Sequence, residues 1–168
     1  GSGSVTTAAA PAHGVVRAAW GAKSGLLALL RAEDPSVVEL WEAAPALERR
    51  GGLSVEGGKV IRSFCWGPHG LAIGDESGSI SLMEQAADSA DNKSFEAFKV
   101  LQCDGEPVTA LAWDGAYLVA GTAAGRCLTF AGPRFKRTTL VAPPGGGGGA
   151  AVVGLELRGA GQQPALLA

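Results

Sequence analysis

Two histidines and three cysteines have the widest chemical reach in this chain. Cys65 and His69 stand four apart, a spacing that could supply two zinc ligands. A structural zinc needs four, and no second pair follows. No metal or cofactor site is therefore expected. Gly21-Ala22-Lys23-Ser24 has the ending of a phosphate-binding loop, but there glycine must directly precede lysine so that successive backbone N–H groups wrap the phosphates. Ala22 intervenes, and a plain turn is the better account. A Ser-His-Asp triad needs a buried, oriented histidine. His69 falls in a Gly-Pro-His-Gly turn and His13 in an Ala/Pro stretch. No catalytic residue is assigned. Cys65 and Cys127 fall in apolar strand patterns, where a free cysteine behaves as a small core residue.

The elements that hold these side chains repeat. Val15-Val16-Arg17-Ala18-Ala19-Trp20, Ile61-Arg62-Ser63-Phe64-Cys65-Trp66 and Val108-Thr109-Ala110-Leu111-Ala112-Trp113 each begin on a β-branched residue and end on tryptophan, at steps of 46 and 47 residues. A weaker copy, Val152 to Leu157, places Leu157 where tryptophan would stand. After each tryptophan come a Gly/Pro/Asp turn and a short apolar run, as a hairpin requires. A third strand follows. Gly78 and Gly125 both lie 12 past their tryptophan, and Met83 and Phe130 both 17 past. Fourth strands are expected at 46–55, 95–103 and 135–142, although 95–101 has helical propensity as well.

Four short strands per unit of about 40–45 residues resemble a blade of the WD-repeat β-propeller family. Val37-Val38-Glu39-Leu40-Trp41-Glu42 is similar to the strand that ends in the family's Trp-Asp pair, with Glu42 for the Asp. Trp66-Gly67-Pro68-His69-Gly70 is similar to the turn after the first strand. The resemblance implies an all-β fold of four-stranded antiparallel blades, about three and a half of them. They fall at 15–57, 58–104, 105–142 and 150–168, with a linker at 1–14 and a glycine-rich loop at 143–149. Two departures stand out. Gly58-Lys59 and Gly105-Glu106 occupy the place of the family's Gly-His pair. Pro35, Ser77 and Ala124 occupy the place of its turn Asp. The buried His–Asp–Ser/Thr–Trp hydrogen-bond network of regular repeats is thus expected to be missing, leaving the strands to apolar burial.

The resemblance implies a non-enzymatic protein-interaction scaffold, a propeller segment of a larger protein or multisubunit complex. The alternative is a set of structural blades in a coat or ciliary-transport type assembly. An enzyme with its site in the propeller channel ranks below both, because the inner strands carry no carboxylate. Loops expected on one rim carry Asp34, Glu56, Asp75, Glu76, Asp104 and Glu106, the candidate contacts for a basic peptide or a basic protein surface. The three tryptophans are expected to be buried alike between blades. The remaining blades would come from the rest of a longer chain, from a partner or from a second copy. A net charge of −2 over 168 residues argues against nucleic-acid binding, and no run approaches 18 apolar residues, so no membrane insertion is expected. An odd cysteine count and a polar Gly1-Ser2-Gly3-Ser4 start suit a cytoplasmic or nuclear protein rather than a secreted one. Arg49-Arg50 and Arg134, Lys136 and Arg137 read as solvated strand edges.

Overall fold

The computed structural model describes residues 14–86, 94–141, 149–158 and 165–167. The leading segment with His13, the glycine-rich stretch 143–148 and the turn at Gly159-Ala160-Gly161 lie outside them. Among the described residues every regular element is a strand, and the fold is all-β. β1 (Val15–Gly21), β2 (Leu26–Arg31), β3 (Val37–Glu42) and β4 (Glu48–Ser54) form one antiparallel sheet in chain order. β5 (Ile61–Trp66), β6 (Gly70–Asp75), β7 (Ser79–Gln85) and β8 (Phe95–Gln102) form a second. β9 (Val108–Asp114), β10 (Tyr117–Thr122), β11 (Cys127–Ala131) and β12 (Lys136–Val141) form a third. β13 (Glu156–Arg158) and β14 (Ala165–Leu167) pair as a two-stranded start of a fourth. These blade-like sheets do not close a ring. Residues 95–101, open to either assignment on propensity, are a strand.

The repeat is visible in the register. Ala28 pairs with Leu40, Ala72 with Leu82 and Ala120 with Leu128, and all six side chains are buried. A bulge interrupts each inner strand at the same place, with Val15, Ile61 and Val108 just before it. Gly78 and Gly125 close equivalent turns at φ values of 83° and 80°, the left-handed region that glycine enters without steric cost.

Blade 2 is apolar on both faces, and strand alternation divides it. Leu71, Ile73, Phe64 and Met83 pack toward blade 1, with Leu26, Leu30, Val38 and Leu40. Ala72, Ile80 and Leu82 pack toward blade 3, with Leu111, Leu118, Leu128 and Phe130. Small residues let the blades approach. A Cβ on Gly74 would stand 2.6 Å from Val108 Cγ1, and one on Gly121 would stand 2.5 Å from Val152 Cβ. Ser63 Oγ donates to the Val108 carbonyl and Thr109 Oγ1 to the Val152 carbonyl, both at 2.7 Å. The same glycine notch thus seats blade 3 on blade 2 and the fourth unit on blade 3, and at each seat a hydroxyl from the inner strand, from neighbouring rather than equivalent positions, bonds the seated valine's carbonyl.

Two expectations are corrected. The tryptophans are equivalent in register but not in burial: Trp113 is 8% exposed, Trp66 partly buried and Trp20 52% exposed. Burial is supplied by the preceding blade. The Trp66 ring lies over Gly21 and the Trp113 ring over Gly67. Trp66 Nε1 also donates to the Ala19 carbonyl at 3.0 Å. Trp20 has no preceding sheet among the described residues. Nor are the strands left to apolar burial alone: a hydrogen-bonded turn supports them, though its partners are serines and not the family's His and Trp. It is built two residues earlier, at the end of the second strand. Asp75 Oδ1 accepts from Ser77 N, Ser77 Oγ and Ser79 N at 2.7 to 3.0 Å. Thr122 stands at the same register position in blade 3, where its Oγ1 accepts from Arg126 N.

Candidate functional site

Strand direction sends the six candidate acids to one end of the blades, and the structure gives them different fates. Asp75 is 2% exposed and bound within its own turn, so it is no rim contact; a carboxylate this deep must have its charge met by hydrogen bonds. Asp104 and Glu106 are largely neutralised. Arg137 forks onto both oxygens of Asp104, 2.5 Å from Oδ1. Arg126 bridges Asp104 at 3.1 Å and Glu106 at 2.8 Å. Glu106 also accepts from Thr122 Oγ1 at 2.6 Å. The Arg137 hydrogen bonds hold the Asp104 carboxyl below its ordinary range. Arg126 and Arg137 are raised correspondingly, chiefly by their bonds to Glu106 and Asp104. Asp34 is exposed and accepts from Ser36 N and Oγ. Glu76 is exposed, accepts from Val60 N and lies 3.8 Å from Arg62. Glu56 is exposed. The six therefore do not form one open acidic rim.

Arg49 and Arg50, like Arg137, are engaged rather than merely solvated, whereas Arg134 and Lys136 are exposed strand-edge cations. Arg49 reaches Glu39 at 3.4 Å, and Arg50 bonds Glu42 and, at 3.3 Å, Glu48. Burial tends to raise the Glu39 carboxyl, but the Trp41 indole, Arg31 and Arg49 outweigh it and hold the group low.

The thiols are poor nucleophiles. Burial pushes Cys65 and Cys103 up to about 12, and raises Cys127 too. All three are free. The Gly21–Ser24 segment is a plain turn: Ser24 Oγ donates to the Gly21 carbonyl, and Lys23 Nζ to the Pro68 carbonyl of the next blade. Among the described residues no group of three His, Cys, Asp or Glu side chains is placed to hold a metal ion.

The opposite end of the blades holds what sequence reasoning missed. The turns after β1, β5 and β9 bring Trp20, Trp66, Trp113, Lys23 and His69 around a cleft of about 650 Å³. Beside it, between blades 2 and 3, lies a socket of about 430 Å³. Trp113, Phe98, Phe135 and Pro133 line it, with His69 and Glu84. The Phe135 ring lies 6.4 Å from Trp113 and 6.5 Å from Phe98, centroid to centroid. The tryptophan spacing and the nearby Phe95 and Phe98 were the available signals. What they lacked was the knowledge that adjacent blades bring one end of each first strand together. No protein-family model and no curated protein matches this chain.

Proposed function

We propose that this chain is a non-enzymatic protein-interaction scaffold of WD-repeat propeller type, whose blades complete against further β-sheet. The carrying observation is Trp20. In the next two blades the equivalent indole lies over a glycine of the preceding blade, and in one of them it donates to that blade's backbone. Trp20 has the same place in the register, yet it stands half exposed with its Nε1 unpartnered among the described residues, flanked by exposed Val15 and Val16. An apolar face of this kind, ending a stack of sheets, is a surface that seeks cover. The high-lying thiols, and the ion pairs and turn bonds that engage Asp75, Asp104 and Glu106, favour binding over catalysis.

Light scattering on the purified chain, wild type beside Trp20→Asp, tests this. Concentration-dependent association in the wild type that Trp20→Asp abolishes is expected. A wild type that stays monomeric at all concentrations and unfolds cooperatively would show the exposed face to be self-sufficient, and would overturn the proposal.

A further inference from the structure

The socket between blades 2 and 3 combines three features. Its aromatic wall is built by two departures from regular geometry. Phe98 is the extra residue of a β-bulge in β8, between Ala97, opposite Met83, and Lys99, opposite Leu82. Phe135 has a left-handed φ of 52°, unusual for a bulky residue and more often found where function requires it. Second, Glu84 lines the socket and is the direct cross-strand partner of Glu96. Like charges held opposite each other destabilise a sheet. Third, neither carboxylate, both of them exposed, has a hydrogen-bond or ion-pair partner among the described residues, and nor has the side chain of Asp114 at the end of β9. Lys99, two strand positions on from Ala97, pairs with neither carboxylate. Its Nζ stands 5.3 Å from the Phe135 ring centre and donates to the Arg134 carbonyl. That ring already attracts a cation on one side.

Electron-rich ring faces beside unpaired carboxylates suit a flat cation with an apolar stem. Guanidinium fits better than ammonium, because it stacks on aromatic rings and offers a planar fork to carboxylates. We propose that this socket takes an arginine side chain from a basic segment of a partner protein, with Glu84 and Glu96 as its counter-charges. The proposal rests on the reading of the chain as an interaction scaffold, but it places the basic partner at the opposite end of the blades from the six acids first considered.

Titrating the ¹⁵N-labelled chain with N-acetyl-arginine amide, N-acetyl-lysine amide and N-acetyl-norleucine amide tests it. Saturable shifts are expected at the Trp113 indole and at the amides of Glu84, Glu96 and Ala116, with arginine binding several-fold tighter than norleucine. The double variant Glu84→Gln, Glu96→Gln should weaken arginine about ten-fold, leave the rest of the spectrum in place and raise the urea midpoint by relieving the like-charge pair. Absence of saturable shifts, an equal response to norleucine, or undiminished binding by the double variant would each overturn the proposal. Trp20→Asp should leave the titration unchanged, so a failed blade-completion test and a failed socket test are told apart.

Discussion

Gly67→Ala isolates the contact on which blade stacking depends. Gly67 follows Trp66 in blade 2, its φ lies outside the left-handed region, and its backbone accepts alanine. The new Cβ, however, would stand 2.7 Å from Trp113 Cγ and closer still to the six-membered ring. Trp113 is 8% exposed and its ring is braced by Phe135, so it has little room to yield. Overpacking of this kind costs about 1–3 kcal/mol. The ceiling is set by ejecting the indole: about 150–250 Å² returned to water, at about 25 cal/mol per Å², gives roughly 4–6 kcal/mol. A net loss of about 2 kcal/mol is expected, which lowers a urea midpoint by about 1 M for an m-value near 2 kcal/mol/M. Gly51→Ala is the control. Nothing lies within 4 Å of its Cβ position, and its φ is ordinary, so the change should be neutral or slightly stabilising. Trp113→Leu, which copies the fourth unit's Leu157, should remove most of the penalty, so that Gly67→Ala on that background costs under about 0.5 kcal/mol. If Gly67→Ala cost the same with and without Trp113, or no more than Gly51→Ala, the glycine seat would not be what holds the blades together.

Three further outcomes are expected. Asp75→Ala strips an acceptor from Ser77 N, Ser77 Oγ and the buried Ser79 N, and should cost about 1–3 kcal/mol by chemical denaturation, with Asp75→Asn intermediate. At pH 8 a disulfide reagent should leave all three thiols of the native chain unmodified and titrate all three in urea, because burial raises each of them in the fold alone. Asp104 and Glu39 sit below their ordinary values in the fold. The stability they contribute is therefore present above the ordinary carboxylate range and lost as pH falls through their depressed values. Thermal midpoints should hold from neutral pH to about 5 and decline below about 4, and Arg137→Gln should make that decline shallower.

What could be read from the sequence, and what could not, follows from how far each feature reaches. The strands were legible because tryptophan, glycine and the Ala–Leu pairs recur at one place per unit, and period-2 patterning leaves no freedom to slip. The Trp20 environment was not, because an indole's burial is set by the blade before it and not by its own strand. Asp75 was read as a rim contact and not as the turn acid, because the turn acid's place was counted back from the end of the third strand. In the fold it is fixed by its pairing with Ile61 at the end of the second. Arg126 and Arg137 lie 22 and 33 residues from Asp104 and meet it only once blade 3 has formed. The socket was the hardest to foresee, since the bulge at Phe98 and the left-handed Phe135 are breaks in the regularity that made the rest readable. In a repeat protein the regular positions are shared by every blade and mainly hold the stack together. Whatever distinguishes one inter-blade groove from the next must come from positions that escape the repeat. Here those positions place an aromatic wall against two unpaired carboxylates, at one junction of the stack.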